Sequence, residues 1–199
     1  MIYVSLNIPE LTAIEKELGM AKSKSKLILR MAINKTAKKA EKYMPKEAHS
    51  EYKAMAYAKQ KAALKITKKA TTGNLVAELT ATGPVNEVYK EYKYHKLSNG
   101  YSANIRGRYK RISNGNRQAF LATYHNKNGG SHTTIAIRKG DKRLPIHSII
   151  GPSIPKQMGY MERGGSVSSA RQQKTIEYVG EILRVEAAAA FAHFMGGSV

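Results

Sequence analysis

From Lys22 to Met44 the chain spaces its apolar residues for one face of a long helix, and such a face demands a partner surface. Leu29, Ile33, Ala37, Ala40 and Met44 fall at i, i+4, i+8, i+11 and i+15, a stripe at helical periodicity. The other faces carry Lys22, Lys24, Lys26, Arg30, Lys35, Lys38, Lys39 and Lys42. A helix of this kind is stable only when the stripe is buried against another layer. Pro45 marks a stop or kink, because its ring crowds the preceding turn and it has no N–H to donate. Lys46 to Lys61, rich in Ala, Tyr and Lys, reads as a second helical or irregular segment.

The partner layer is written as strands. Ile2 to Ile8 alternates, with Ile2, Val4, Leu6 and Ile8 on one face. Pro9 ends that run and opens a short helix, Glu10 to Leu18, which Gly19 breaks. Residues 63–67 and 75–80 flank Thr71-Thr72-Gly73-Asn74, a hairpin turn. Phe120 to His125 and Thr133 to Arg138 form a second pair around residues 126–130. Between the pairs, Tyr89 to Arg117 is basic, Tyr-rich and punctuated by Gly and Asn, which reads as loop with room for one strand. Leu144 to Pro155 holds three prolines and Gly151 and is expected to be extended and non-helical.

Gly164-Gly165-Ser166 reads as a hinge, followed by a terminal helix from near Ser168. Ile176, Val179, Leu183, Ala187, Ala190 and Phe194 line one face of it, and Gly196-Gly197 closes it. The expected fold class is therefore α+β: a long basic N-terminal helix packed on an antiparallel sheet, with a C-terminal helix. Residues 1–163 form the main domain, and 164–199 a glycine-hinged helix that docks on this domain or on a neighbour.

Hydrophobic residues make up 42% of the chain, enough for a core, but with three Phe and no Trp that core rests on Leu, Ile, Val, Ala and Tyr. Cysteine is absent, which excludes disulfides, thiolate metal sites and cysteine nucleophiles. Residues 1–4 lack the pattern of a signal peptide. The longest apolar run, Ala187 to Ala192, falls far short of the roughly 20 residues a bilayer requires. A soluble chain without membrane partners is expected.

Enzyme chemistry finds no support in the motifs. There is no GxSxG elbow, no phosphate-binding glycine loop and no HExxH. Gly140-Asp141 and the few glutamates make no carboxylate pair for nuclease metals. The histidines, His49, His95, His125, His132, His147 and His193, have no metal spacing; His125 and His132 could face each other across a hairpin, but with no third ligand. No catalytic residue, metal or cofactor is expected.

What remains is charge: 34 Lys and Arg against 14 Asp and Glu, a formal +20. Solubility of a small domain asks for about 2–8. The excess suits a polyanion or an acidic protein surface. The lysines of the long helix, Lys35, Lys38, Lys39 and Lys42 among them, are either a solvated face or part of a surface meeting acidic subunits or DNA. Tyr89, Tyr92, Tyr94, Tyr101, Arg106, Arg108, Tyr109, Lys110 and Arg111 interleave aromatic and basic side chains. A protein interface explains that composition best, ahead of an inert loop and of single-stranded nucleic acid stacking on the rings.

Two stretches resemble the minor tail protein Z family of tailed bacteriophages. Residues 31–40, MAINKTAKKA, are similar to that family's basic helix. Ala119-Phe120 through Ile137-Arg138, Arg143-Leu144-Pro145-Ile146 and Ile150-Gly151-Pro152-Ser153-Ile154-Pro155 to Met158 resemble its strand ending in Arg followed by an LPI…GPS-hydrophobic-P segment. Together they span Met31 to Met158; the insert Tyr89 to Arg117 matches nothing in the family. The resemblance implies a non-catalytic virion protein, assembled in the host cytoplasm, that acts in tail completion or head–tail joining. It implies a ring, a hexamer, beside the tail terminator, tail tube or head–tail connector proteins, with transient contact to phage DNA. Interface candidates are then Tyr101, Arg106, Arg108, Tyr109, Arg138, Pro145, Ile146, Gly151, Pro152 and Pro155. The proline segment is either a rigid loop or a docking arm, two compatible roles. The alternative class is a basic nucleic-acid-binding protein.

Overall fold

A computed structural model describes residues 2–5, 22–52, 55–125, 128–159 and 170–196. The fold is α+β. Helix α1 (Lys22–Glu51) lies against a three-stranded antiparallel sheet ordered β1 (Ile2–Ser5), β3 (Val76–Ala81), β2 (Leu64–Lys68), while the terminal helix α5 (Ala170–Gly196) packs along α1. Leu29, Ile33, Ala37, Ala40 and Met44 are all buried, as their spacing requires.

Pro45 does not stop α1, one of the two outcomes expected for it; the helix runs six residues further, to Glu51. Ala48, one turn beyond Met44, is buried on the same face, as is Tyr52 just past the helix end. Burial on both sides of the proline outweighs the lost hydrogen bond and ring crowding, roughly 3 kcal/mol. A short helix α2 (Tyr57–Ala63) then leads into β2.

The edge strand β2 is closed by two side chains of α1. Glu41 accepts the Ile66 N–H at 3.2 Å. Asn34 donates to the Ala70 carbonyl at 3.0 Å and accepts the Ala70 N–H at 2.8 Å. Backbone that would otherwise offer itself to another chain is thus satisfied internally. The turn at Thr71–Asn74 is held by Thr71 N–H to Asn74 carbonyl at 2.8 Å.

Tyr89 to Arg117 is not the expected loop. After β4 (Asn86–Glu87) and a helical turn α3 (Val88–Glu91), it forms an antiparallel meander of β5 (Lys93–Leu97), β6 (Gly100–Asn104), β7 (Tyr109–Asn114) and β8 (Arg117–Gln118). Asn99-Gly100 and Asn114-Gly115 sit at its two tight turns. Gly115, at φ 59°, takes the left-handed conformation such a turn requires. Next come β9 (Phe120–His125), β10 (Ser131–Arg138) and β11 (Ile146–Ser148), ordered β11-β10-β9. Ile149 ties this sheet to α3, donating to the Ile135 carbonyl at 2.7 Å and accepting from Val88 at 3.1 Å.

The proline segment is only partly extended. β12 (Ile150–Gly151) pairs with β4, but Ile154–Gln157 turns into a helical turn, α4, with Pro155 in its first positions. Proline is accommodated there because a first-turn N–H has no intrahelical partner to lose.

Helix α5 packs along α1 with Leu183, Ala187 and Ala190 buried, three of the residues expected on its apolar face, but its phase differs by a residue near the start. Ile176 is 53% exposed, and Thr175 is buried instead. Two contacts fix that phase: Tyr178 stacks on Tyr43 with ring centroids 3.7 Å apart, and Glu186 faces Lys35 and Lys39. The expected helix Glu10–Leu18, the end of the first strand beyond Ser5 and the Gly164-Gly165-Ser166 hinge lie outside the described residues. Among the described residues no helix is long and apolar enough to cross a membrane.

Candidate functional site

The residues nominated from the sequence separate into three places. The first is an inward corner. Gly151 is buried, and a Cβ added to it would lie 2.5 Å from Cε2 of Tyr92. Only glycine lets the β12 backbone approach that ring. The next carbonyl, Pro152, receives three donors: Asn86 Nδ2 at 2.8 Å, Gln157 Nε2 at 3.0 Å and the Tyr92 hydroxyl at 3.3 Å. Gln157 extends the network to Gln60 at 2.9 Å, and Gln60 to His49 at 3.1 Å. Both glutamines are fully buried, so each hydrogen bond spares a desolvated polar group. Burial pushes the Tyr92 hydroxyl up to about 12, with the nearby Tyr52 adding to the rise. Gly151, Pro152 and Pro155 therefore belong to a hydrogen-bonded corner that joins β4, β12 and α4. They do not form a free arm.

The second place is the β10–β11 turn. Arg138 lies opposite Ile146, donates to the Arg143 carbonyl at 2.8 Å and sits over the Phe120 ring at 5.2 Å. Pro145, in a cis peptide with Leu144, and Leu144 itself are exposed at the tip.

The third is the meander, whose register divides the tyrosines. Tyr94 opposes Ala103, and Tyr101 opposes Ile112, on the face turned toward the core; Tyr89, Tyr94 and Tyr101 contact one another there at 5.4 and 6.2 Å. Tyr109 opposes Asn104 on the other face and packs its ring on His95 at 4.2 Å. Tyr101 and Tyr109, nominated together, thus look in opposite directions.

Where β6 turns into β7 the basic residues do converge. Arg106, Arg108, Lys110 and Arg111 surround an open groove of about 870 Å³. Its floor is apolar, made by Ala103, Ile105, Ile112 and Ile149. Glu51, at the end of α1, forms one wall and pairs with Arg106 at 3.2 Å; the same guanidinium lies over Tyr52 at 5.7 Å. Arg111 donates to the Asn99 carbonyl at 2.7 Å. Among the described residues no carboxylate lies within ion-pair distance of Arg108, Lys110 or Arg111. A concave surface with an apolar floor and a few convergent charged groups, here mostly cations with Glu51 on one wall, is a usual form of binding site.

The basic face of α1 is divided as well. Lys39 and Lys35 reach Glu186 at 2.5 and 3.7 Å, so they serve the seam with α5, while Lys38 and Lys42 point to solvent. His125 and His132 do not face each other: His125 opposes Ser131 and His132 opposes Tyr124, which puts the rings on opposite faces. His132 instead meets Glu87 at 3.1 Å and Lys90 at 3.2 Å. Among the described residues no group of three His, Asp or Glu side chains is placed to hold a metal ion.

Sequence reasoning missed Glu51, Ile149, Gln60 and Gln157. Nothing local marks the glutamines or Ile149, since their roles arise from segments up to 97 residues apart. Glu51 carried one weak signal, an acid closing a lysine-rich helix. Comparison with protein-family models, curated proteins and solved structures finds no match.

Proposed function

We propose that this chain is a structural protein of a tailed bacteriophage or prophage-derived particle, acting in tail completion at the head-proximal end of the tail. The observation that carries this reading is the position of the two resembling stretches in the fold. Asn34, from the first, holds the backbone after β2; Gly151 and Pro152, from the second, build the corner under Tyr92. Residues that fasten backbone to backbone are those a shared frame requires, so a resemblance concentrated there goes with a shared architecture.

In this role the chain makes and breaks no bond. Copies assemble as a ring, six by the resemblance, beside tail terminator, tail tube or connector subunits, and recognition proceeds by burial and charge complementarity. Electron microscopy of particles made without this gene tests it. Filled heads beside full-length, unattached tails are expected; normally joined particles would overturn the reading.

One observation favours a basic nucleic-acid-binding protein instead: Lys38, Lys42, Arg108 and Lys110 are exposed and, among the described residues, have no ion-pair partner, Arg106 alone of the groove cations being paired, with Glu51. That reading requires tight DNA or RNA binding by the isolated chain, with log affinity falling linearly and steeply in log salt.

A further inference from the structure

We propose that the groove at the β6–β7 turn binds an acidic peptide segment carrying an aliphatic side chain, with Glu51 as a built-in competitor for Arg106. The proposal rests on the assembly reading only for the source of the peptide, an exposed segment of a partner protein; the recognition chemistry is independent of it.

Three features lead to this occupant. The rim supplies Arg106, Arg108 and Lys110, of which only Arg106 has a carboxylate partner among the described residues, while Arg111 is held by the Asn99 carbonyl, so the site selects negative charge. The floor of Ala103, Ile105, Ile112 and Ile149 offers nothing to a phosphate but would bury an aliphatic side chain. Among the described residues no aromatic ring lines the groove, and Tyr109 lies on the face of the meander opposite to that of Ala103 and Ile112, against His95. Single-stranded nucleic acid gains its sequence-tolerant affinity from stacking platforms, and among the described residues the groove has none.

Glu51 gives the groove its internal reference. Its side chain, about one-third exposed, holds the Arg106 guanidinium from the groove wall. A peptide carboxylate reaching Arg106 replaces one carboxylate by another, which weakens its net gain there. Removing the Glu51 charge therefore raises affinity for an acidic peptide, an effect that a cluster of merely solvated cations also shares in part. The apolar floor is what separates the two.

The test is fluorescence anisotropy on the full chain with three labelled probes: the peptide Asp-Glu-Leu-Asp-Glu, its counterpart with Ser for Leu, and oligothymidylate of matched charge. The Leu peptide is expected to bind about tenfold tighter than the Ser peptide, as burial of one aliphatic side chain requires. Arg108→Glu with Lys110→Glu should weaken it by at least about tenfold, and Glu51→Gln should tighten it a few-fold. Arg108 and Lys110 are exposed, so the double variant keeps its fold and carries the test even where Glu51→Gln disturbs the end of α1. Equal affinity for the two peptides, no loss in the double variant, or tighter binding of oligothymidylate would overturn the proposal. Its failure is separable from that of the tail-completion reading. Particles lacking the gene can lose head–tail joining while the peptides bind nothing, and the peptides can bind while particles form normally.

Discussion

The lysines of α1 and the cations of the β6–β7 turn carry the same charge, yet they meet different neighbours. Lys35 and Lys39 close on Glu186 of α5, a carboxylate only 10% exposed, and serve the seam between two helices. Arg108 and Lys110 rim an open groove with no carboxylate in reach among the described residues. The first group spends its charge inside the chain; the second leaves it for another molecule. A basic run in a sequence thus says little about binding until the acids of the fold have been placed. By the same logic, substitutions in the inward regions should cost stability, and substitutions on the groove rim should cost binding alone.

The sharpest break of that division lies in the corner under Tyr92. Gly151→Ala puts a methyl group 2.5 Å from a ring atom that is itself held between Pro152 and Gln157. Neither side can move without breaking buried hydrogen bonds. The expected loss is about 3 kcal/mol, read as a lower urea midpoint. A midpoint unchanged from the parent would mean that the corner is soft and that Gly151 is free to serve as an arm.

The same corner gives an alkaline signature. The Tyr92 hydroxyl ordinarily ionises near 10 but holds its proton to about 12 in the fold. A group whose folded value is raised contributes stability that is complete below the unfolded value and is lost as pH climbs through the folded one. Between pH 10 and 12 the unfolded chain binds fewer protons at this position. Stability therefore falls, by at most about 1.4 kcal/mol per pH unit from this group. Tyr92→Phe is less stable at neutral pH, having lost the bonds to Pro152 and Gln157. Its gap to the parent should narrow across that window in paired urea titrations. A constant gap would show that Tyr92 titrates as it does in the unfolded chain.

These inward regions were also where the sequence was easiest and hardest to read. The α1 stripe was legible because its partner surface is continuous and every apolar residue in it is buried. The β2–β3 and β9–β10 hairpins were legible from alternation and turn residues. The meander was not, because Lys96 falls on the inner face beside Tyr94 and breaks the alternation that marks a half-buried strand; that face is made by Tyr94, Tyr101 and Ala103. Asn99-Gly100 and Asn114-Gly115 were the available signals, and each is a hairpin cue in its own right. Composition alone points to Arg106, Arg108 and Tyr109 together and cannot tell the two faces of a strand apart. Register can, and it sends Tyr109 away from the groove that the arginines share.

The smallest effect sharpens the comparison most directly. Glu186→Gln keeps the shape of the side chain at the α1–α5 seam and removes its charge. Lys35 and Lys39 are about half exposed, so both can turn to water, and the loss should be near 1 kcal/mol instead of the several expected for a fully buried pair. It should concentrate in α5, since Glu186, the Tyr43–Tyr178 stack and the Leu183–Ala190 face are what hold that helix on α1. Hydrogen exchange should then report faster amide exchange in α5 than in β9 and β10, which share no contact with the substituted residue. The groove variants Arg108→Glu with Lys110→Glu give the reference: as exposed positions without internal partners, they should shift stability by less than about 0.5 kcal/mol and leave α5 exchange unchanged. If Glu186→Gln proves equally silent, the seam lysines are solvated charges like the rim, and the distinction between inward and outward basic clusters disappears.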